Sequence, residues 1–325
     1  MRANDRARAP SEGESGAKDG ERPVKKSESL SRGKKRPSTR DWAEAIEELR
    51  REGHPLQYML DRIKMARATF YYHLKRLNKP DGYDDIRSRI GVIFYLNHGW
   101  YGYRRITEQL HNDGIRINHK TVLKLMRQMG LQANRKKPKY KPYKGDLGKV
   151  APNILEQNFV ATRPNQKWTT DVTEINIHGE KLYLSPILDM YNGEIISFSI
   201  SRSPNLNLAI SMLNKAFSKI KDTEGMVMHS DQGWQYQHLL YQNMLKNKGI
   251  IQSMSRKGNC LDNAIMESFF GIMKSELLYS REWESADEFA MALHAYIHYY
   301  NHKRIKMKLN GKSPVQYRTL YQSNY

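Results

Sequence analysis

Apolar residues recur at helical spacing through the first third of the chain and at strand-like spacing from about residue 164. Trp42, Ile46 and Leu49 stand at intervals of four and three behind Asp41, a candidate helix cap. Gly53 and His54-Pro55 end that helix. Leu56, Met59, Leu60 and Ile63 predict a second, and Phe70, Leu74 and Leu77 a third over 66–77. Helix, turn and basic helix over 41–80 form the pattern of a helix-turn-helix DNA-binding module, although other small helical hairpins share it. Arg67, Thr69, Tyr72 and Arg76 then face outward. Residues 81–134 are helical again. Ile86, Ile90, Ile93 and Phe94 make one stripe, a second helix from Tyr101 carries Arg104 and Arg105, and a third runs from Asn118 to Arg127. This segment reads either as a second helix-turn-helix-like module or as a helical spacer.

The period then changes. Runs at 167–177, 180–190 and 194–200 predict three strands, with Gly179 and Asn192-Gly193 as turns. Helices follow at 206–220, 237–246, 262–278 and 285–301, with short buried strands at 226–229 and 250–253. Three antiparallel strands followed by helix-linked strands match an α/β ribonuclease-H-like layout. We expect a mixed five-stranded sheet flanked by helices over 164–325.

Composition adds a partner. The net charge is +20, which points to a polyanion such as DNA or RNA. Residues 1–40 hold few large apolar side chains and are expected to be a disordered basic tail. Residues 135–163 read as a basic linker. There Lys136, Lys137 and Lys139 can meet phosphates while Tyr140 and Tyr143 stack on bases. No run of about 18 apolar residues predicts a membrane span, and the N-terminus lacks the apolar centre of a secretory signal. One cysteine, Cys260, excludes an intrachain disulfide framework and a multi-cysteine zinc site. A cytoplasmic protein is expected.

The candidate chemistry is acidic. Asp171 lies in Trp168-Thr169-Thr170-Asp171-Val172-Thr173, Asp231 in His229-Ser230-Asp231-Gln232-Gly233, and Glu267 downstream of Asp262-Asn263-Ala264. Asp231 follows a predicted buried strand, where open α/β sheets place their sites. Asn263, Glu267, Phe270 and Lys274 share one helical strip. Converging carboxylates repel one another unless a cation lies between them, and hard oxygen ligands suit Mg²⁺ or Mn²⁺. Taken singly, each residue reads as a turn or surface carboxylate.

These motifs, with Thr69-Phe70-Tyr71-Tyr72, Tyr101-Gly102-Tyr103-Arg104-Arg105, Tyr300-Asn301-His302-Lys303-Arg304-Ile305 and Ser313-Pro314-Val315-Gln316-Tyr317, resemble the insertion-sequence-three family of bacterial transposases, in the retroviral-integrase superfamily. The resemblance spans roughly residues 60 to 322. It implies a DDE-type polynucleotidyl transferase in which Asp171, Asp231 and Glu267 hold two Mg²⁺ (or Mn²⁺) ions. It also implies nicking at the 3′ ends of an element, then strand transfer into target DNA. Lys274, Asn263, Gln232 and His229 would position DNA or the active-site surround, and Lys303 and Arg304 would meet DNA. His229 also reads as a packed, hydrogen-bonded histidine. The implied partners are double-stranded DNA at the element ends and target, and further copies of this chain on DNA. The implied location is the bacterial nucleoid. The family commonly joins two reading frames by frameshifting, the upstream product supplying a coiled coil. This chain has no sustained heptad repeat, so it resembles the downstream catalytic product, with the upstream product as a further partner, or a product that lacks that coiled coil. The rival readings are a DNA-binding regulator with a relic core, a transposase subunit whose catalysis depends on a partner protein, and a ribonuclease-H-type nuclease for hybrids.

Overall fold

Ser38, not Asp41, caps the first helix. Its hydroxyl accepts the Asp41 N–H, and the Asp41 carboxylate accepts the Ser38 N–H in return, a reciprocal capping box. Asp41 is thus the third helical residue rather than the cap. The computed structural model describes residues 37–77, 82–133, 151–220, 222–256 and 260–324. The predicted tail lies almost wholly outside the described residues, and Lys136, Lys137, Lys139, Tyr140 and Tyr143 lie entirely outside them. The chain forms two compact units that divide between Asp84 and Asp85.

The first unit is a three-helix cluster: α1 Thr39–Arg51, α2 Leu56–Ile63 and α3 Arg67–Leu77. The predicted apolar positions Ile46, Leu60 and Phe70 form its buried centre. Lys64 adopts a left-handed conformation (φ 53°) that closes α2 and lets α3 begin three residues later.

The second unit begins with α4 Asp84–Leu96, α5 Tyr103–Asn112 and α6 His119–Gln128, the last capped by Asn118 as expected. Ile90, Ile106, Leu110, Val122 and Leu125 are buried between them, and Ile305, from near the end of the chain, packs into the same cluster.

The sheet consists of β1 Lys167–Thr170, β2 Thr173–Ile177, β3 Glu180–Asp189, β4 Ile195–Ser201, β5 Val227–Ser230 and β6 Ile251–Met254. The single strand predicted at 167–177 is interrupted at Asp171-Val172. Both halves keep one register on β3, with Thr170 opposite Ile187 and Thr173 opposite Leu184. The Asp171 carboxylate captures the Val172 N–H at 2.7 Å, so the side chain competes with the ladder at the break. β4 pairs antiparallel with β3, while β5 pairs parallel with β1 and β6 with β5. With β1 and β2 counted as one interrupted strand, the sheet is mixed and five-stranded, as expected.

Helices cover both faces. On one, α7 Leu206–Lys219, α8 Trp234–Gln237 and α9 Leu239–Lys246 bury Met212, Tyr236 and Tyr241 with Trp168 and Met228. On the other, α10 Ala264–Met273 and α11 Ala286–His302 bury Met266, Phe269 and Phe289 with Leu184. The helix predicted at 262–278 is three pieces. A 3₁₀ turn Cys260–Asn263 enters α10, and a π-helical turn Lys274–Leu278 leaves it. α12 Pro314–Asn324 ends the described chain. Among the described residues no helix is long and apolar enough to cross a membrane.

Candidate active site

Asp171 stands at the carboxyl end of β1 and Asp231 just past the end of β5, and the two strands are parallel neighbours. That pairing brings the two aspartates together at one edge. Enclosure by protein pushes the Asp171 carboxyl well above its usual range, and the charge of Asp231 pushes it further. The Val172 N–H pulls the other way, Glu267 adds repulsion and Lys274 adds attraction. Asp231 is likewise raised by desolvation, opposed by the Gly233 N–H, which donates to Asp231 Oδ1 at 2.9 Å.

A side chain at position 233 would have to displace the Asp231 and Gln235 side-chain ends, so Gly233 leaves the Asp231 carboxylate its place. Its φ is −58°, open to any residue, but an added Cβ would lie 2.9 Å from Asp231 Oδ1 and 2.7 Å from Gln235 Nε2.

Asn263 lies in the 3₁₀ turn before α10. Its amide donates to Asp171 Oδ2 at 3.0 Å, and its carbonyl oxygen accepts the Thr169 hydroxyl at 3.2 Å. Asn263 therefore orients the carboxylate. Glu267 is exposed in the first turn of α10. Lys274 opens the π-helical turn, half-buried. Desolvation lowers its pKa, and the charges of Asp171 and Glu174 oppose that.

Among the described residues, no three His, Cys, Asp or Glu side chains are gathered closely enough to hold an ion as they stand. The aspartate pair is assembled, and Glu267 bears on it electrostatically from the exposed face of α10. The donor set fits a hard divalent cation. It consists of carboxylate oxygens that repel one another, and that repulsion is what a cation relieves.

His229 is buried and touches no surface. Its Nε2 donates to the Asp262 carbonyl at 3.0 Å, and Ser253 Oγ lies 2.9 Å from Nδ1. The carbonyl can only accept, so Nε2 carries the proton. Burial lowers the His229 pKa, opposed by the Asp262 carbonyl and carboxylate. The ring pins β5 to β6 and to the entry of α10, which matches the packed reading. Asp262 extends this framework by accepting both a side-chain fork and the backbone N–H of Arg256. Gln232 donates to the Ser255 carbonyl at 3.0 Å, which fixes the loop beyond Asp231.

The remaining predicted DNA contacts separate by exposure. Arg67, Tyr72 and Arg76 are exposed on α3, and Arg76 donates to the Tyr72 hydroxyl at 2.6 Å; Thr69 is half-buried. Arg104 and Lys303 are exposed. Arg304 is not: it is 2% exposed and forks onto Glu276, with both bonds at 2.7 Å. Arg105 also turns inward to Glu276, at 3.3 Å. A basic sequence motif does not reveal a buried acidic partner 171 residues away.

One set of cations was missed. Lys120, Lys124 and Arg127 recur at intervals of four and three along α6. All are exposed, and none enters an ion pair among the described residues. Projecting the predicted third helix of that segment onto a wheel would have found them.

Residues 161–260 match the model of the integrase core domain, residues 267–321 match a second integrase core domain model, and residues 83–139 match an HTH-like domain. The chain is 52% identical to InsK of insertion sequence element IS150 of Escherichia coli, over 82% of this chain and 95% of that protein. It is 38% identical to the transposase for insertion sequence element IS904 of Lactococcus lactis, over 71% and 92% respectively. Among solved structures, the HTLV-2 integrase catalytic core domain in complex with magnesium aligns with 49% of this chain and 99% of that one. The identity is 19% and the TM-score 0.40.

Proposed function

The chain belongs to the insertion-sequence-three family of transposases, within the retroviral-integrase superfamily, and we propose that it nicks the 3′ ends of its element and joins them to target DNA. The observation that carries this reading is the placement of Asp171 and Asp231 at the adjacent carboxyl ends of parallel β1 and β5, with the Asn263 amide on Asp171 and the charges of Glu267 and Lys274 both felt at the Asp171 carboxylate. Asp171, Asp231 and Glu267 would hold two Mg²⁺ or Mn²⁺ ions. When bound, such ions supply Lewis acidity to the phosphodiester and lower the pKa of an oxygen nucleophile.

The chain's own groups do the rest. Asn263 holds the Asp171 carboxylate in one orientation, and the Gly233 N–H does the same for Asp231. Lys274 offers an ammonium beside the carboxylates, where it meets a phosphate of the bound strand. The strip Lys120, Lys124 and Arg127 grips DNA, with Arg104, Lys303 and the exposed residues of α3 as further contacts. The nucleophile is water for nicking and the freed 3′-hydroxyl for joining, so no protein side chain is covalently modified.

Joining tests this directly. A labelled duplex carrying an element end, a supercoiled plasmid and Mg²⁺ or Mn²⁺ are incubated with the full chain, beside a matched RNA–DNA hybrid. Joined plasmid product supports the reading. Cleavage of the hybrid with no joining would replace it with a ribonuclease-H-type nuclease.

A further inference from the structure

Three parts of the second unit, far apart in sequence, meet at one buried carboxylate. Glu276 lies in the π-helical turn two positions past Lys274. It accepts from Arg304 Nε and Nη2 at 2.7 Å each, from the Tyr296 hydroxyl at 2.9 Å and from Arg105 Nη1 at 3.3 Å. Arg304 and Tyr296 come from the C-terminal part of the chain. Arg105 comes from α5, inside the segment that matches the HTH-like domain.

The junction continues on both sides of this carboxylate. The Tyr101 hydroxyl accepts the Ile305 N–H at 2.9 Å and donates to the Lys303 carbonyl at 3.3 Å. Tyr299 donates to Asn97 at 2.9 Å, and Asn112 donates to the Gly311 carbonyl at 3.0 Å. Ile305 sits inside the apolar cluster of α4–α6. The helical segment is therefore welded to the sheet domain rather than tethered to it.

The chemistry of the weld is specific. An apolar seam tolerates sliding. A buried carboxylate tied from several sides does not, because moving Arg304 away leaves its charge uncompensated out of water, and Arg105 adds a tie from α5. The planar fork of Arg304 adds angular constraint. The same turn also carries Lys274, so one residue fixes both the helical module and a group of the reacting centre.

We propose that Glu276 is a positioning residue that locks α4–α6 onto the turn carrying Lys274, so that DNA gripped along α6 reaches Asp171 and Asp231 at a fixed offset. This rests on the end-joining activity proposed above.

The test loosens the weld while leaving the Glu276–Arg304 pair intact. Arg105→Met and Tyr101→Phe are combined in the full chain. Spin labels are placed at Gln128→Cys and Lys246→Cys with Cys260→Ser, and double electron–electron resonance reads the distance between α6 and α9. The expected result is a narrow distribution in the otherwise native chain and a broad one in the loosened variant. End-joining should fall by about tenfold or more while affinity for the end duplex stays within about twofold. Lys120→Ala serves as control, lowering affinity without broadening. A distribution that stays narrow would overturn the proposal, as would undiminished joining despite broadening. A fall in affinity matching the fall in joining would also overturn it, because Arg105 would then be a DNA contact. If the native chain joins no ends, the proposed activity fails; broadening alone then upholds the clamp and a narrow distribution sinks it.

Discussion

Asn263 donates its amide to Asp171 at 3.0 Å while its carbonyl oxygen accepts the Thr169 hydroxyl at 3.2 Å. The second bond fixes the sense of the first. With the oxygen held by Thr169, only the NH₂ group can face Asp171. The carboxylate is thereby aimed by a side chain from the same turn that launches the helix bearing Glu267.

Asn263→Ala is expected to reduce end-joining by about ten- to a hundredfold with end binding retained, as loss of a group that orients a metal ligand commonly does. Calorimetric Mg²⁺ titration should show weakened binding in the same variant. Unchanged joining and unchanged Mg²⁺ affinity would remove Asn263 from the site.

The strip on α6 makes a different expectation. Lys120→Ala, Lys124→Ala and Arg127→Ala should each weaken binding about equally for element-end and unrelated duplexes. Each should also lower the slope of log affinity against log salt by about one. Sequence-selective loss would instead mark a contact to a base edge. No loss at any of the three would move the DNA to another face.

Arg304 and Lys303 are adjacent and should behave differently. Arg304→Ala leaves the buried Glu276 short of its main partner and is expected to destabilise the second unit by about 3–5 kcal/mol. Lys303→Ala removes an exposed side chain and should change stability by no more than about 0.5 kcal/mol. Urea unfolding of both variants separates the roles, and equal effects would contradict the burial assigned to Arg304.

Asp189 gives the fold a pH signature. It is wholly buried, and burial pushes its carboxyl up to about 6, although it accepts the Asn165 and Tyr191 N–H groups. A folded-state pKa above the unfolded value means the folded state binds the extra proton. Stability from this group is therefore fully present below the usual aspartate pKa of 3.8 and lost as pH rises to about 6. The stability of the native chain relative to Asp189→Asn should fall by about 2 kcal/mol between pH 4 and pH 7. A flat or rising difference would show the carboxyl to be ionised throughout.

Much of this architecture was legible because it is local. The helical spacing of Ile46, Leu60 and Phe70, and the turn at Asn192-Gly193, depend on neighbours in sequence. The motifs around Asp171, Asp231 and Glu267 are likewise local, each a short run of neighbours in sequence. What escaped depended on partners far along the chain. The break at Asp171-Val172 arises because a side chain captures its neighbour's N–H, which strand periodicity does not report. The inward turn of Arg105 and Arg304 is set by Glu276, and a basic motif looks the same whether its acid is absent or buried beneath it. The loose placement of Glu267 relative to the aspartate pair also lies beyond sequence, since a helical wheel gives a face and not a distance.

Glu267 is exposed on its helix while the two aspartates already stand together at adjacent strand ends, so its part in the chemistry is the one most open to test. The most direct measurement compares the native chain with Glu267→Gln in one strand-transfer assay with Mg²⁺, a labelled element-end duplex and a plasmid target, alongside a binding assay on the same duplex. A role for Glu267 in holding the metal predicts joined product from the native chain, none from Glu267→Gln, and equal end binding by both. Joined product from Glu267→Gln at the native level would contradict it.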